Sequence, residues 1–397
     1  MHKQAREAFN RSFTESKYQD FVASFESAFP GQLDFRVAET PVFVPKELKE
    51  KILQASDEII STLLSPDFKE KTDRAVPEDQ NVPGENAHTS FLAIDYAICR
   101  NKAGELVPQL IELQGFPSIF GYQAFLSESF KKFFDITEGF EYVLGGEDYE
   151  GYVQKLKDLI LAGADPEQVI LLEIYPEKQK TKVDFAVTEA ILGVKAVCYT
   201  KLIKEGKRLF YEKEGRKIQI KRIYNRLIFD DLQNYPDLDT SYHFTDEVDV
   251  TWVGHPNWFF RISKFSMPFL SSPYIPETKF VSDYQGNFPD DLENYVLKPL
   301  FSFAGAGVQL HISEKDLIAL RDPENYILQK KVTYEPVIQA PDGLVKCEIR
   351  MMYGWNDDAP KPELLISLSR LSRGEMIGVR FNKDFTWVGG SAGFFET

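Results

Sequence analysis

The sequence predicts an α/β protein with two or three lobes, and three observations support this fold class. First, the chain has 397 residues, 43% of them hydrophobic, which is enough for a sizeable core. Second, its middle third alternates between a buried-strand pattern at 169–175, a helix pattern that ends at Gly193 and another strand pattern at 194–200. Strand, helix and strand at this spacing indicate a parallel sheet. Third, long segments at 344–353 and 363–372 have the character of antiparallel strands.

Residues 1–150 are predicted to form the first unit, with helices ahead of a β-hairpin. In the second helical segment, apolar residues recur at near-helical spacing. The hairpin is predicted because a short turn at 101–105 separates two apolar segments. The predicted elements are helices at 3–30 and 46–64, strands at 91–100 and 106–114, and a helix from about 121 to 133.

Residues 151–255 are predicted to form a central parallel α/β lobe, which contains the strand–helix–strand pattern. A charged hairpin follows that pattern, and a further strand is predicted to begin in IQIKRIYNRLIF at 218–229. Residues 256–397 are predicted to form the third unit. Its elements are a helix at 258–270, strands at 295–299, 308–312 and 326–332, a helix at 314–320 and the two long strands near the carboxyl terminus.

Composition argues against several classes of function. The formal net charge is −15 at pH 7, whereas a general nucleic-acid binder carries a basic surface, so no nucleic-acid partner is expected. No apolar run approaches the ~20 residues that span a bilayer, and the N-terminus lacks the apolar stretch of a signal peptide. Three cysteines far apart in sequence predict neither a disulfide framework nor a zinc site. We therefore expect a cytoplasmic protein without a membrane partner.

The stretch YVLKPLFSFAGAGVQL at 295–310 carries the first candidate chemistry. It reads as a strand with Lys298, a loop with Gly305 and Gly307, and a returning strand. A lysine fixed on a strand can hold phosphate oxygens, and small loop residues let backbone N–H groups approach them closely. The stretch is not a Walker A loop, because GxxxxGK[ST] is absent. Taken alone, it is equally consistent with a β-hairpin that has a glycine turn.

A second stretch, QLIELQGFPS at 109–118, places Glu112 and Gln114 on one side of a strand. An ionised carboxylate inside a core is costly unless another group pairs with it. Leu110 shares a face with Glu112, so apolar residues lie on both faces. The alternative is a buried polar ladder that faces solvent on one side of an antiparallel sheet. If the strand is buried, Glu112 and Gln114 therefore require a partner from elsewhere in the chain.

The order of these motifs resembles the ATP-grasp superfamily. In that family, the nucleotide lobe has a helix lysine, a strand entered through P-x-T, a strand lysine before a glycine-rich loop, and a hinge strand that meets adenine. These places are occupied, in order, by Lys264, Pro276 with Thr278, Lys298, the 302–307 loop and Gln329 with Lys330. Lys330 stands where the family's hinge usually has an acidic residue, a change that backbone contacts to adenine would survive.

The resemblance implies that the chain binds ATP. The residues that it assigns to the nucleotide are Lys264, Lys298, Ser302, Ala304, Gly305, Gly307, Gln329 and Lys330.

The metal-binding strands place the chain nearer to one branch of the superfamily. In the circularly permuted branch, which includes eukaryotic glutathione synthetase and glutathionylspermidine synthetase, these strands precede the lysine lobe. The pattern D-F…E-Y-N-x-D-T-P-T-S of the second enzyme is similar to IDYAI at 94–98 and IELQGFPS at 111–118. The resemblance therefore implies that Asp95, Glu112 and Gln114 bind Mg²⁺.

Two departures from that pattern limit what the resemblance implies about the substrates. Gln114 replaces an asparagine but still offers an amide oxygen to a hard cation. Ala93 stands where the branch often has an arginine, and Gly115-Phe116 replaces an acidic step. Because these changes fall on the substrate side, neither glutathione nor spermidine is carried over as a substrate.

Three arginines are candidate catalytic residues. Arg350 lies on a strand after the hinge, where the permuted branch has a similar arginine. A strand arginine that points into a nucleotide cleft can neutralise a transferring γ-phosphate or an acyl-phosphate. Arg226 and Arg370 are further candidates, although a structural ion pair explains each of them equally well. His255 is predicted to be structural.

The activity that the resemblance implies is carboxylate–amine ligation. ATP and Mg²⁺ would lie between lobes, a small-molecule carboxylate would form an acyl-phosphate, and an amine would displace phosphate to form an amide. The alternative is a nucleotide-binding pseudoenzyme with a regulatory or scaffold role. Gln114 and the arginine missing at Ala93 motivate this second hypothesis.

Overall fold

The computed structural model describes residues 1–301, 307–378 and 382–397. The described α-helices are α1 (Lys3–Ser12), α2 (Glu15–Ala28), α3 (Lys46–Leu63), α4 (Phe68–Lys71), α5 (Phe120–Phe133), α6 (Tyr149–Ile160), α7 (Lys182–Leu192), α8 (Phe229–Gln233), α9 (Asn257–Arg261) and α10 (Glu314–Ile318). The described strands are β1 (Val42–Val44), β2 (Phe91–Arg100), β3 (Leu106–Gln114), β4 (Phe140–Glu141), β5 (Val169–Glu173), β6 (Lys195–Cys198), β7 (Ile203–Glu205), β8 (Arg208–Lys213), β9 (Arg216–Ile220), β10 (Arg222–Asn225), β11 (Thr251–Val253), β12 (Thr278–Phe280), β13 (Tyr295–Pro299), β14 (Tyr326–Lys330), β15 (Ile338–Ala340), β16 (Gly343–Gly354), β17 (Glu363–Ser372) and β18 (Gly389–Glu396).

The predicted α/β class is confirmed. The strands predicted at 91–100 and 106–114 coincide with β2 and β3, because a polar turn at 101–105 separates two apolar segments. Within the described ranges, every helix is too short or too polar to cross a membrane.

The largest sheet joins strands from both ends of the chain. Its order is β1-β18-β17-β16-β2-β3, with β15 beside β16 and β4 beside β18. β16 pairs antiparallel with β2, and β2 pairs antiparallel with β3. The carboxyl-terminal hairpin β16–β17 therefore lies beside the strands that carry the predicted metal ligands. The unit boundaries proposed from sequence remain predictions, but this sheet combines strands of the first and third units.

The two faces of this sheet differ in chemistry. On one face, Ile94, Tyr96 and Ile98 of β2 are fully buried, and the Tyr96 hydroxyl lies 3.0 Å from the hydroxyl of Ser56 on α3. Successive side chains of a strand point to opposite faces, so Asp95 points away from this apolar core. Burial of each large apolar side chain contributes about 1.5–3 kcal/mol. The packing of the core face thus determines the register that places polar residues on the other face.

Four strands in the order β11-β10-β5-β6 pair in parallel, as the strand–helix–strand pattern predicted. Helix α7 connects β5 to β6 and ends at Gly193, whose φ of 74° is left-handed and suits glycine. The segment 218–229 begins as strand, as predicted, and it spans the end of β9 and the whole of β10. The chain first completes the antiparallel β8–β9 hairpin, enters the parallel sheet as β10, and then turns into α8.

The third unit departs from prediction in two places. The helix expected at 258–270 breaks into α9 and a 3₁₀ helix, Lys264–Phe269, because Ser263 is extended and Pro268 cannot continue an α-helix. The strand expected at 308–312 is reduced to one bridge between Leu297 and Gln309. Strands β12, β14 and β13 form an antiparallel sheet in that order.

Candidate functional site

Polar side chains of four neighbouring strands share one face of the largest sheet. Residues that lie directly opposite one another on antiparallel strands point to the same side. Asp95 of β2 lies opposite Glu112 of β3 and opposite Arg350 of β16. Glu348 of β16 lies opposite Arg370 of β17. The strand register therefore assembles carboxylates and arginines into a single cluster.

Asp95 is at the centre of this cluster and is only 1% exposed. Arg350 donates from Nε to Oδ1 and from Nη2 to Oδ2, at 2.5 and 2.6 Å, in a bidentate pair. Arg370 donates from Nη2 to the same Oδ2. Burial alone would raise the pKa of Asp95, but the positive charges of the two arginines outweigh it and lower the pKa. Asp95 is therefore an ionised carboxylate with both oxygens engaged.

Glu348 is the second carboxylate that accepts from Arg370. Its Oε1 accepts from Arg370, and its Oε2 accepts from the Tyr334 hydroxyl at 2.6 Å. Burial raises the pKa of Glu348 despite the opposing charge of Arg370, and the negative charge of Asp95 acts in the same direction as burial. Two carboxylates thus hold one guanidinium between them.

Glu112 and Gln114 lie at the edge of the cluster. The Gln114 Nε2 donates to Glu112 Oε1 at 2.9 Å, and Arg350 Nη2 lies 3.8 Å from the same oxygen. The Glu112 side chain is 26% exposed, in contrast to that of Asp95. Its carboxylate is therefore partly accessible to a ligand.

A β-bulge in β3 lies where Lys298 contacts that strand. The β2–β3 register shifts between Asp95 and Tyr96, which leaves Ile111 as the extra residue on β3. The Ile111 carbonyl accepts a hydrogen bond from Lys298 Nζ at 3.0 Å. Lys298 of β13 thereby reaches from the small antiparallel sheet to the strand that carries Glu112.

Both predicted lysines are buried at this junction. Burial lowers the pKa of Lys298 to about 8; the positive charge of Lys264 acts in the same direction, while Glu112 and Glu348 oppose it. Burial also lowers the pKa of Lys264, and the carboxylates of Glu112 and Asp230 oppose that shift. The two cations therefore lie close enough to Glu112 to interact with it electrostatically.

The predicted hinge lies on the same side as Lys298. Gln329 of β14 is opposite Val296 of β13, and Ile327 is opposite Lys298, so Gln329 and Lys298 share a face. Gln329 is 2% exposed, and its Nε2 has no hydrogen-bond partner in the described part of the chain. Lys330, by contrast, is exposed.

The glycine-rich loop is described only at its end. Ser302, Ala304 and Gly305 lie outside the described residues. Gly307 has a φ of 70°, and a Cβ atom there would lie 2.9 Å from Cγ of Pro299. Conformation and space therefore both require glycine where the chain returns from the loop.

Arg226 lies in a different environment. Its Nη1 donates to the buried carboxylate of Asp184, whose Oδ1 accepts from the backbone N–H of Tyr122 at 2.9 Å. This contact joins β10, α7 and α5 at the carboxyl ends of the parallel strands. The geometry favours the structural ion pair that was one of two explanations for Arg226.

His255 has structural contacts. Its Nδ1 accepts from the backbone N–H of Asn257 at 3.2 Å, and its Nε2 lies 3.2 Å from the carbonyl oxygen of Pro83. Burial lowers the pKa of His255 to about 4, so its imidazole is neutral at pH 7.

The structure thus brings seven of the fourteen predicted site residues to one junction. They are Asp95, Glu112, Gln114, Lys264, Lys298, Arg350 and Arg370. Sequence reasoning missed three participants. Glu348 had a signal, because it precedes Arg350 by two residues and so shares its face of the strand. Ser118, whose Oγ accepts from Arg350 Nη1 at 3.1 Å, had one too, because it matches the final serine of the P-T-S end of the family pattern. Tyr334 had none.

The predicted metal ligands are near one another but have unequal donor capacity. Asp95 directs both oxygens to arginines, so its metal-binding role remains a prediction that would require those contacts to break. Glu112 and Gln114 keep oxygen atoms that could face a cation. Across the described ranges, no group of three or more His, Cys, Asp or Glu side chains has metal-binding geometry.

Comparison with known proteins supports the fold. No protein-family model matches the chain, and no curated protein sequence matches it. Among solved structures, that of a glutathione synthetase-like effector from Globodera pallida, in its apo form, has a TM-score of 0.61 and 11% sequence identity over 96% of each chain. Identity at this level shows fold alone, so this chain shares the mixed α/β fold of that effector.

Proposed function

We propose that the protein is an ATP-dependent carboxylate–amine ligase of the circularly permuted ATP-grasp type. The observation that supports this most is the convergence of cations on one junction. Lys264 lies on the 3₁₀ helix after α9 and Lys298 on β13 of the small antiparallel sheet, whereas Arg350 and Arg370 lie on β16 and β17 of the largest sheet. Lysine ammonium and arginine guanidinium groups are the side chains that bind phosphate oxygens. Four such groups at one junction, beside carboxylates that can hold a metal ion, suit a polyphosphate with its cation.

A second observation supports nucleotide binding at the small antiparallel sheet. The buried Nε2 of Gln329 lacks a partner within the described chain and shares a face with Lys298. Two residue steps along a strand are about 7 Å, so a base against Gln329 leaves room for phosphates to reach Lys298. In this arrangement, Gln329 contacts the base and Lys298 contacts the phosphates.

Magnesium would be held by fewer residues than the family pattern implies. Gln114 donates to Glu112 through Nε2, which leaves its Oε1 available as a ligand. Mg²⁺ usually binds one or two carboxylates, substrate phosphates and several waters, so Glu112 with Gln114 is a sufficient protein contribution. When bound, the ion neutralises phosphate charge as it develops during transfer.

The chain's own residues then act by position and charge. Arg350 and Arg370 lie where a substrate carboxylate and the terminal phosphate would meet, and their guanidinium groups offset the negative charge of both. The carboxylate oxygen bonds to phosphorus as the bond to the ADP oxygen breaks. An amine then attacks the acyl carbon and phosphate leaves.

A substrate screen tests this proposal. We expect Mg²⁺-dependent ADP formation when an acid and an amine are both present in pools of amino acids and polyamines. ADP release and amide formation should occur in equal amounts. If ATP with Mg²⁺ does not shift the melting temperature of the protein, nucleotide binding itself is refuted.

The pseudoenzyme hypothesis has one specific observation in its favour. Asp95 is occupied by two arginines, and Gln114 is hydrogen-bonded to Glu112, so each predicted ligand already has a partner within the chain. This hypothesis predicts tight ATP binding with no turnover for any acid–amine pair. The same screen separates the two, because only the ligase releases ADP in response to substrates.

The low pKa of Lys298 leads to a prediction about pH. Burial lowers the pKa of this lysine to about 8, and a bound polyphosphate would favour its charged form. We expect ATP binding at pH 8.5 to take up protons, and binding at pH 6.5 to take up almost none at this residue. Calorimetry in buffers of different ionisation enthalpy measures the difference.

The lowered pKa of Lys298 also predicts how the unfolding free energy of the protein changes with pH. Between pH 8 and the ordinary lysine range near 10.4, the unfolded chain binds more protons at this residue than the folded protein. The Lys298 contribution to unfolding free energy therefore rises with pH in that window. Equal proton uptake at both pH values would contradict the assignment of Lys298 to the phosphates.

A further inference from the structure

Asp95 makes contacts that a metal ligand would not make. Its two oxygens accept from Arg350 Nε, Arg350 Nη2 and Arg370 Nη2. A divalent cation bound there would lie within contact distance of two guanidinium groups, and like charges at that distance repel. We propose that Asp95 is a positioning residue that fixes Arg350 and Arg370 as a phosphate-binding site, which works without a divalent cation. This inference rests on the proposed function and concerns its terminal-phosphate position.

Arg350 is immobilised at every nitrogen of its guanidinium group. Nε and Nη2 donate to Asp95, and Nη1 donates to the Ser118 hydroxyl at 3.1 Å. Its side chain is 10% exposed. Arg350 therefore presents a fixed positive charge whose position is determined from two sides.

Arg370 is fixed along one edge only. Its Nη2 is shared between Asp95 and Glu348, and Tyr334 holds the second oxygen of Glu348. Its Nε is buried and has no hydrogen-bond partner in the described part of the protein. The side chain is 34% exposed, so the other edge of the guanidinium plane is accessible. An arginine held in this way has donors left for a phosphate oxygen.

The open edge of Arg370 suits an anion with several acceptor oxygens. Within the described residues, Asp95 and Glu348 pair with the two arginines. Glu112 interacts electrostatically with both lysines and with Arg370, and Asp230 interacts with Lys264. A phosphate group can use the open donors of Arg370 better than a single carboxylate, because phosphate brings more charge and more acceptor oxygens.

Inorganic tripolyphosphate is the probe that tests this site, since it has no base and cannot be ligated. We expect calorimetry to detect its binding to wild-type protein in EDTA, and Mg²⁺ to strengthen that binding. Asp95→Asn should weaken binding in EDTA by at least tenfold while the relative gain from Mg²⁺ persists. Glu112→Gln should show the reverse, with binding in EDTA retained and the gain from Mg²⁺ lost.

A second variant keeps the test decisive if Asp95→Asn does not fold. Arg370→Gln leaves Asp95 paired with Arg350 and should also weaken tripolyphosphate binding in EDTA by at least tenfold. Arg373→Gln is the matched control, because it removes one arginine just beyond β17 that pairs with Asp342. Its affinity for tripolyphosphate should stay within about twofold of wild type.

Three results would overturn the inference. They are wild-type affinity in EDTA for Arg370→Gln, loss of only the Mg²⁺ effect in Asp95→Asn, and succinate binding as tightly as tripolyphosphate. The last would assign the arginines to a carboxylate. If tripolyphosphate fails to bind in EDTA while ATP with Mg²⁺ still shifts the melting temperature, the inference fails and the proposed function stands.

Discussion

Lys298→Met is expected to weaken ATP binding by roughly 100-fold, while the protein remains folded. The lysine is buried and interacts with Lys264, Glu112 and Glu348. Removing one member of a desolvated charge pair costs about 2–5 kcal/mol of binding, and each 1.4 kcal/mol is about tenfold in affinity. Titration calorimetry with ATP and Mg²⁺ measures the loss directly.

Lys298→Met should change the unfolding free energy much less than it changes ATP affinity. Methionine fills a similar volume without the cost of burying a charge, although the Ile111 carbonyl loses its hydrogen bond. A lost neutral-acceptor hydrogen bond of this kind is worth about 1–3 kcal/mol, so the two effects partly cancel. We expect unfolding free energy within about 2 kcal/mol of wild type in urea denaturation.

Lys279→Met is the matched control for Lys298→Met. Lys279 lies on β12 of the same sheet, opposite Leu328, and it pairs with Glu277 at the surface. Its side chain is 52% exposed and points to the face away from Lys298. If both variants lose ATP affinity equally, the effect comes from net charge and the assigned role of Lys298 is wrong.

Local patterns were sufficient to predict the elements that hold the site. The β2 and β3 strands follow from apolar segments on either side of a polar turn, and α7 from an apolar pattern that ends at Gly193. These signals lie within a few residues of the elements that they define. The α/β class and the positions of Lys298 and Glu112 on strands could therefore be read from sequence.

The partners of Asp95 could not be read in the same way. Arg350 and Arg370 approach it only because β16 and β17 join β2 in one sheet, a pairing between distant parts of the chain. Strand order and register over such separations are determined by packing of the whole core face. The bulge at Ile111, which frees a carbonyl for Lys298, is likewise a property of the paired strands.

Asp184→Asn is expected to destabilise the protein by about 3–5 kcal/mol, the second large effect. The change removes the charge of the carboxylate that Arg226 is hydrogen-bonded to while the guanidinium stays buried, and breaking a buried pair in this way typically costs that amount. Urea denaturation measures the loss. Asp34→Asn is the control, since Asp34 pairs at the surface with Lys182 of the same helix, and exposed pairs contribute about 0–1 kcal/mol.

The double variant Asp184→Asn/Arg226→Met separates a structural from a catalytic arginine. Asparagine still accepts from the Tyr122 N–H, and methionine removes the uncompensated charge. Because replacing both partners of a buried pair is often nearly neutral, stability should recover towards wild type. If Arg226 is structural, the double variant also retains ATP binding and turnover. Recovered stability with turnover lost would instead assign Arg226 to the reaction, since the fold would be intact and only its guanidinium missing.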